Sequence, residues 1–497
     1  MNRTVFEAKR TDAAGRIGQL EIPQADLTIE TPAMLPVVNP HIQGVDPSRL
    51  ASEFGADILI TNSYVLYNSD ELRDTALDKG VHELLDFPGA IMTDSGSFQL
   101  AEYGDIDVDS AEILAFQDAI GTDIATPVDV PTPPDATREE AIADLAATTD
   151  AIQTAKAYDA GDMLVTAPIQ GSTHLDLREQ AARDAYAVGL DIYPIGAVVP
   201  LLRSYRFDDV ARIIDAAKRG LGTDAPVHLF GAGHPMMFSL GVALGCDLFD
   251  SAAYALYAKD ERYLTTGGTA HLEELSYFPC HCPVCTDMTP QELRDTPEAA
   301  RHRLLAEHNL SVTFAEIRRV KQAITQGELL ELVERRVRAH PRLLDGYRAA
   351  LNRTDRLEAA EPATGQRPMF YLSSESARRP EVHRHHDRLT RLSVPDPLTL
   401  VVDGVETLPP SYTNSDAPQW AVTPPFGPVP PALNQTYPLT AEVPQSTDSA
   451  AIEAAVDGIN ALCTASDHTV TFVHPGWPAW TLERLPDSVV SVDGGTA

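Results

Sequence analysis

The sequence is short of lysine. Only six of its 38 basic residues are lysines, whereas aspartate and glutamate number 72, which gives a formal net charge of −34. Because the acidic residues are spread along the whole chain, they do not form an acidic tail. A diffuse acidic surface keeps a protein soluble in molar salt, where the Debye length is only about 3 Å. The net charge therefore does not exclude a nucleic-acid partner, and local arginines are more informative.

Long apolar runs are missing as well. No window holds about eighteen uninterrupted apolar residues, so we expect no membrane-spanning helix. The N-terminal segment MNRTVFEAKRTDAAGR has no apolar core and is not a signal peptide. Five cysteines in 497 residues are too few for a disulfide framework. These absences predict a globular, cytoplasmic protein.

From about residue 45 the sequence alternates between helical and strand-like segments. DPSRLASEFGA precedes DILITNSY, and FDDVARIIDAAKRGL precedes PVHLFGAG. The first member of each pair has apolar residues at three- and four-residue spacing, which is typical of a helix. The second member is apolar throughout, as parallel strands buried on both faces are. Repeated units of this kind predict either a barrel or a doubly wound sheet.

The ends of the apolar runs favour the barrel. In a TIM (β/α)8 barrel all C-terminal strand ends meet at the catalytic face, whereas an open sheet collects them only near its switch point. No Gly-x-Gly-x-x-Gly motif follows the first strand, and the chain has no P-loop. Nearly every run ends in a polar residue or a glycine: Asn62, Asp94, Asp129, Gln170, Gly196, Gly231 and Asp250. We therefore predict an α/β fold built on a TIM barrel.

Asp94 lies where an apolar run stops in AIMTDSGSFQL. Asp, Ser and Gly are ordinary turn formers, so a simple turn is one interpretation. An active-site acid at the mouth of the barrel is the other. Asp247 and Asp250 raise the same question in GCDLFDSA. Asp247 precedes the apolar pair Leu248–Phe249, which suggests the start of a strand and a structural role.

The segment PCHCPVC contains three clustered cysteines. Three thiolates and one imidazole form a closed tetrahedral set for structural zinc, with no open position for catalysis. We predict one Zn2+ per chain in a subdomain of about residues 275–315. His281 and His302 are alternatives for the fourth ligand, although His281 is wedged between two cysteines. The predicted ligands are Cys280, Cys282, Cys285 and His308, and the other two cysteines, Cys246 and Cys463, are interpreted as core residues.

The character of the chain changes beyond about residue 345, where we expect one or two smaller α+β domains. Residues 422–439 are too rich in proline for a regular helix. Residues 377–392, ARRPEVHRHHDRLTRL, are strongly basic in an acidic protein. This basic stretch is either a helix face paired with the acidic surface or a contact for RNA phosphates.

Four motifs together resemble the tRNA-guanine transglycosylases: TDSGSFQL, APIQGS, GCDLFDSA and Cys-x-Cys-x2-Cys followed by His. ETPAMLPVVNP and TPPFGPVPPALNQTYPL are similar to the archaeal, halophilic members. The resemblance covers about residues 1–340 and implies a catalytic TIM barrel with a zinc-binding insertion. It also implies exchange of guanine at position 15 of the tRNA D-arm for 7-cyano-7-deazaguanine (preQ0), through a covalent enzyme–RNA intermediate, in archaeosine biosynthesis.

The resemblance assigns the chemistry to two carboxylates. Asp250 would attack ribose C1′, and Asp94 would be the general acid/base, although the two roles could be exchanged. Retaining pairs of this kind lie about 5 Å apart. Asp129 and Gln170 would bind the guanine-like edge and Phe98 would stack on the base; read alone, these three could be a turn residue, a helix cap and a core residue. The substrate-binding set is Ser95, Phe98, Asp129, Gln170, Gly196, Ala197, Val198 and Val199.

The resemblance also implies partners. Residues 345–497 would contact tRNA, a homodimer is expected near the zinc region, and the PUA module that often ends archaeal members is not recognised. A bacterial-type queuine or preQ1 enzyme acting at the wobble base is one alternative. A non-catalytic RNA-binding subunit is another, although such subunits typically lack one or both acids. A barrel glycoside hydrolase is disfavoured, because aromatic residues make up only 6% of the chain.

Overall fold

The computed structural model describes residues 5–42, 44–97, 109–365, 367–403, 405, 417–464 and 469–494. The chain divides into two units, one of residues 1–325 and 335–350 and one of residues 326–334 and 351–497. The boundary near residue 340 that the sequence suggests between functional domains remains a prediction.

The described residues of the first unit form three sheets. An antiparallel sheet β1–β2–β3 comes first, a parallel sheet of eight strands, β4–β11, forms the centre, and the hairpin β12–β13 follows. The strands are β1 Phe6–Asp12, β2 Gly15–Ile22, β3 Leu27–Thr31, β4 Ala33–Val38, β5 Ile58–Asn62, β6 Ala90–Asp94, β7 Ile124–Ala125, β8 Leu164–Val165, β9 Tyr193–Ile195, β10 Val227–Leu229, β11 Leu248–Ser251, β12 Arg262–Thr265 and β13 Gly268–His271.

Helices connect the parallel strands, as the alternating pattern predicts. The helix Arg138–Ala157 (α6) begins with a capping box. The side chains of Thr137 and Glu140 each accept a hydrogen bond from the other residue's backbone N–H, which the first helical turn leaves free. The helices are α1 Pro47–Phe54, α2 Ser63–Asn68, α3 Asp70–Lys79, α4 Val81–Leu85, α5 Ser110–Ala119, α6 Arg138–Ala157, α7 Leu175–Val188, α8 Val199–Arg203, α9 Phe207–Gly220, α10 Pro235–Ala243, α11 Ala253–Lys259, α12 Pro283–Asp287, α13 Pro290–Asp295, α14 Glu298–Gln326, α15 Leu329–Val337 and α16 Pro341–Leu351.

The eight-stranded sheet closes into the predicted barrel. Its strand order is β8-β7-β6-β5-β4-β11-β10-β9, so β8 and β9 are the two ends. Parallel bridges Thr166–Ile192 and Ile169–Ile195 join these ends. Ala167 N–H donates to Ile192 O at 2.8 Å across the same seam. A closed ring of eight parallel strands alternating with helices is the TIM-barrel architecture.

Two strands end earlier than the sequence suggests. The apolar runs reach Asp129 and Gln170, but β7 ends at Ala125 and β8 at Val165. Proline lacks the N–H that a ladder needs. Pro127 and Pro168 follow these strands closely, so the regular ladders stop there. Asp129 and Gln170 consequently lie on loops beyond the strand ends.

The barrel interior is apolar and is continuous with the antiparallel sheet. Leu35, Ile60, Met92 and Leu248 from the barrel belong to one buried cluster with Leu20 of β2. Such all-apolar strands fill the interior of a TIM barrel with side chains rather than leaving a pore. The functional groups are therefore confined to the strand ends and the loops beyond them.

Asp247 forms a buried ion pair at the N-terminal end of β11. Its Oδ1 lies 2.7 Å from Arg16 Nε and its Oδ2 lies 2.8 Å from Arg16 Nη2. Oδ2 also accepts the Val227 N–H at 2.8 Å. Both side chains are buried. Asp247 therefore lies at the start of its strand and has the structural contacts that the sequence suggests.

The second unit is a mixed α+β fold. Its five-stranded sheet has the order β16-β15-β14-β17-β18, and only β15 and β16 are paired antiparallel. Buried Leu400 and Phe472 of the sheet share an apolar cluster with Ile459 of α19. The elements are α17 Thr354–Ala360, α18 Pro380–Leu389, β14 Leu398–Val402, β15 Gln419–Thr423, β16 Gly427–Val429, α19 Ser449–Thr464, β17 Val470–His474, α20 Ala479–Leu482 and β18 Val489–Asp493, with 3-10 turns at Leu272–Glu274 in the first unit and Ser374–Arg378 here.

Some arginines of the basic stretch 377–392 form ion pairs and hydrogen bonds within this unit. Arg379 is buried, lies 2.7 Å from Glu331 and also pairs with Glu381. Arg384 donates to the carbonyl oxygen of Pro362 at 2.8 Å. Arg379 supports the ion-pairing interpretation, Arg384 is bonded to the backbone instead, and an RNA contact by the rest of the stretch stays a prediction. Among the described residues, none of the helices combines the length and the apolar character needed to cross a membrane.

The Arg16–Asp247 pair yields a stability prediction. Arg16→Met would leave the Asp247 carboxylate buried without a counter-charge, so we expect a loss of about 3–5 kcal/mol in the free energy of unfolding. Urea unfolding at high KCl measures it. The control is Arg183→Met, whose pair with Glu179 is solvent-exposed, and which should lose less than about 1 kcal/mol. Equal losses in the two variants would contradict the structural role of Asp247.

Candidate active site

A cavity of about 820 Å³ opens at the C-terminal ends of the barrel strands. The residues around it come from loops that follow several different strands. Most of the predicted site residues line it: Asp94, Ser95, Asp129, Gln170, Gly196, Ala197, Val199 and Asp250. Val198 is buried beside the cavity wall, and Phe98 lies outside the described residues. The structure therefore brings the predicted groups together, as convergence of strand ends in a barrel requires.

Asp94 is the last residue of β6 and its carboxyl group faces the cavity. The Gly96 N–H donates to Asp94 Oδ1 at 2.7 Å. Burial, together with the charges of Asp250 and Asp129, raises the pKa of Asp94 to about 7, against the lowering effect of the Gly96 hydrogen bond. Gly96 has φ +80°, and a Cβ there would lie 2.6 Å from Tyr64 Cβ. The segment is thus a tight turn that also holds a carboxyl group able to exchange protons near neutral pH.

Asp250, in β11, is held by the neighbouring strand. The Gly231 N–H donates to Asp250 Oδ1 at 2.8 Å. His228 Nε2 lies 2.9 Å from the same oxygen, and the imidazole is fully buried on β10. The Gly231 hydrogen bond fixes this carboxylate oxygen, and the imidazole lies against it. His228 is not among the site residues predicted from the sequence, because a single imidazole in the apolar run PVHLF does not reveal its partner on another strand.

Asp129 and Gln170 form a buried pair. Gln170 Nε2 donates to Asp129 Oδ2 at 2.5 Å, and the Asp129 N–H donates to Ser97 Oγ at 3.2 Å. Burial raises the pKa of Asp129, against the hydrogen bonds from Gln170 and Ser97. Gln170 Oε1 is buried and has no hydrogen-bond partner among the described residues. A buried polar atom without a partner costs free energy, so this oxygen is suited to a ligand donor.

The Gln170 side chain lies so close to the backbone at position 196 that a residue larger than glycine would collide with it. A Cβ on Gly196 would lie 2.2 Å from Gln170 Nε2. The next residue, Ala197, has φ +57°. The wall of the cavity is therefore backbone at this point, which exposes peptide groups to a ligand.

Arg178 supports the loop that carries Gln170. Its guanidinium is fully buried and donates to the carbonyl oxygens of Ile169 and Ser172 at 2.7 and 2.8 Å. Burial lowers the pKa of Arg178 to about 9. Sequence analysis missed this residue, because an arginine on an amphipathic helix ordinarily faces solvent.

A second cluster, whose members do not line the cavity, could hold a metal ion. The ligand atoms of Cys280, Cys282, Cys285 and His308 all lie within 4.8 Å of one another. His308 Nδ1 is 3.4 Å from the sulfurs of both Cys282 and Cys285. Among the described residues, His281 and His302 are not part of this group.

The tautomer of His308 is set by its surroundings. Nε2 lies 2.9 Å from the carbonyl oxygen of Leu264, which can only accept, so Nε2 carries the hydrogen and Nδ1 presents its lone pair to the sulfurs. Tyr263 stacks on the imidazole at 3.7 Å. A ligand histidine that donates its other N–H to a carbonyl is a common outer-shell arrangement of metal sites. The donor set of three sulfurs and one nitrogen fits a tetrahedral ion.

Comparison with known proteins identifies the family. A family model described as queuine tRNA-ribosyltransferase matches residues 11–342. The chain belongs to this family. Membership confirms the resemblance seen in the four motifs and makes the protein a tRNA ribosyltransferase, which is a pentosyltransferase.

Archaeal relatives of this ribosyltransferase match most of its length. A tRNA-guanine(15) transglycosylase of Haloferax volcanii is 59% identical over 98% of this chain and 93% of its own. The protein of the same name from Haloarcula marismortui is 58% identical over 98% of both chains. That of Pyrococcus furiosus is 51% identical over 87% of this chain and 70% of its own. These relatives confirm the archaeal, halophilic character of the resemblance.

The raised pKa of Asp94 predicts how stability depends on pH. The folded state binds this proton more tightly than the unfolded chain, because the pKa is about 7 rather than 3.8. Wild-type stability should therefore fall as pH rises from about 4 to 7 through this group. Asp94→Asn cannot ionise, so at pH 8 it should exceed the wild type by up to roughly 4 kcal/mol, with little difference at pH 4. Urea unfolding across this pH range measures the difference.

Asp176→Asn is the matched control for this titration. The Arg138 guanidinium holds the pKa of Asp176 down to about 2 on the surface. Its folded pKa is depressed, so the control should be slightly less stable than the wild type above pH 4, which is the opposite sign. Parallel stability curves for the wild type and Asp94→Asn would show that Asp94 is not the titrating group.

Proposed function

We propose that this chain exchanges guanine at position 15 of the tRNA D-arm for preQ0, as a step in archaeosine biosynthesis. The relatives named tRNA-guanine(15) transglycosylase support the position. The observation that carries the chemistry is that two carboxyl groups in different environments, Asp94 and Asp250, line one cavity. Two carboxyl groups that are held in different surroundings can take different acid–base roles.

In the proposed first step, the Asp250 carboxylate attacks ribose C1′. The C1′–N bond to guanine breaks with its electron pair going to the base, and Asp94 donates the proton that the leaving guanine takes up. The Gly231 N–H and His228 hold Oδ1 of Asp250, which leaves the other oxygen for C1′. A covalent ribosyl–Asp250 ester results, as in other retaining glycosyl transfers.

In the second step, preQ0 replaces guanine in the same cavity. Asp94 takes the ring N–H proton of preQ0, the freed nitrogen attacks C1′, and the bond to Asp250 breaks to return its carboxylate. Asp129 and Gln170 would receive the N–H groups of the base edge, since Gln170 Oε1 has no partner within the described part of the chain. Ser95 and the backbone of residues 196–199 complete the binding set, and stacking by Phe98 stays a prediction.

The alternatives have less support. A non-catalytic subunit would not need both acids in one cavity. A bacterial-type enzyme acting at the wobble base does not match the position in the relatives' names. We also propose that residues 345–497 contact tRNA, that two copies pair near the metal cluster, and that the enzyme acts in the cytoplasm.

Base exchange is the experiment that tests this function. The protein is incubated in high KCl with unmodified tRNA and radiolabelled preQ0 or guanine, and the label is mapped. We expect incorporation at position 15, with a loss of at least roughly a thousandfold in Asp94→Ala and Asp250→Ala, because such groups act in the transition state. A denaturation-stable RNA adduct should form with the wild type and disappear in Asp250→Ala. An adduct that survives this substitution would reverse the two roles, and tRNA binding without exchange would support the subunit alternative.

We propose that the metal in the Cys280/Cys282/Cys285/His308 cluster is structural zinc. Mass spectrometry of the purified protein should find one zinc per chain. Cys282→Ser and His308→Ala should lose the metal and unfold at lower temperature, because zinc binding contributes to folding. Cys463→Ser and His281→Ala should retain it. Full zinc content in His308→Ala, with loss in His281→Ala, would reassign the fourth ligand.

A further inference from the structure

Tyr205 is an exposed aromatic residue at the cavity. It lines the cavity and is 53% exposed, in the turn that follows α8. Its ring stacks on His340, with the centroids 4.6 Å apart and the planes at 13°. Its backbone has φ +56°, a conformation that is unfavourable for a bulky residue and is kept only where surrounding contacts impose it. The protein therefore holds this ring in a defined place with one face supported.

Two arginines line the same cavity. Arg203 is exposed and has no carboxylate partner among the described residues, whereas the nearby Arg206 pairs with Asp135 and Asp209. Arg262 donates to Thr269 Oγ1 at 3.1 Å. Positive groups at a cavity rim in a chain of net charge −34 are suited to phosphates, which bind guanidinium through charge-assisted hydrogen bonds.

Tyr205, Arg203 and Arg262 all act electrostatically on one further side chain, Tyr257. Burial raises the pKa of Tyr257, the neighbouring Tyr205 raises it further, and the charges of Arg262 and Arg203 lower it. Tyr257 also lines the cavity. The aromatic pair and the two cations therefore belong to one region of the rim.

We propose that the Tyr205–His340 pair is a stacking platform for the nucleobase next to the guanosine that enters the cavity, and that Arg203 and Arg262 hold the phosphates beside it. The proposal rests on the proposed function, since it needs an RNA substrate. Extruding one base removes a stacking partner from its neighbour. A supported aromatic ring at the rim replaces that partner, and it does so without reading sequence, because every base has a stacking face.

The test is a cycle between protein and RNA variants. Intact tRNA is compared with tRNAs that carry an abasic nucleotide on the 5′ or the 3′ side of the reacting guanosine. Tyr205→Ala should raise KM for intact tRNA roughly tenfold, with kcat little changed, and Tyr205→Phe should behave like the wild type. On the abasic tRNA that lacks the stacked base, wild type and Tyr205→Ala should have the same KM, because the stacking contact is already missing. Arg203→Gln should weaken the binding of intact and abasic tRNAs equally. It should also make tRNA binding less dependent on salt concentration.

The controls separate this proposal from the function on which it rests. Tyr186→Ala removes a partly exposed tyrosine near the C-terminal end of α7, which runs away from the catalytic face, and should leave KM unchanged. Binding of free guanine, measured by calorimetry, should be equal in Tyr205→Ala and the wild type. If the wild type exchanges no base, the proposed function fails, and the same cycle run on tRNA dissociation constants still tests the platform. An unchanged KM in Tyr205→Ala, or equal penalties on intact and both abasic tRNAs, would overturn it.

Discussion

The hydrogen bonds that join β8 to β9 are the constraint on which the site depends. In the strand order, Gln170 follows one end of the sheet and Gly196 follows the other. Closing the barrel brings these two so near that a Cβ on Gly196 would lie 2.2 Å from the Gln170 amide. The cavity wall formed by these two residues thus straddles the seam. An open sheet of the same strands would have no such pocket.

Closure of the barrel also brings the carboxyl groups of Asp94, Asp129 and Asp250 to one cavity. Each carboxyl group has different neighbours there. Burial and mutual repulsion raise the pKa of Asp94 to about 7. Asp250 has a backbone N–H and an imidazole at one oxygen, and Asp129 has the Gln170 amide. Like charges at close range disfavour full ionisation, so the carboxyl group that has only a turn amide to support it is the one suited to carry a proton. The geometry of the turn at Gly96 therefore influences the pKa of Asp94.

The large negative net charge says little about whether the protein can bind phosphate groups. The positions of individual arginines are more informative. Arg16 and Arg379 are buried against carboxylates and serve folding. Arg203 is exposed at the cavity rim without such a partner in the described chain. Screening in molar salt shortens the range of the general repulsion to a few ångströms, so a single well-placed guanidinium can still meet a phosphate.

The sequence by itself determined the barrel and the family, and it predicted the two acids and the metal ligands. Each is encoded locally: in the period of apolar residues, in the polar ends of apolar runs, and in the close spacing of the cysteines. The sequence also suggests a structural role for Asp247, and the tertiary structure agrees: Asp247 pairs with Arg16 and Asp250 lines the cavity, because the two ends of a short strand lie at opposite ends of the barrel. The tertiary structure alone decided the roles of His228, Arg178 and Tyr205, whose partners lie on other strands, turns or helices. Contacts of that kind arise only when the chain closes, and no local pattern of residues records them.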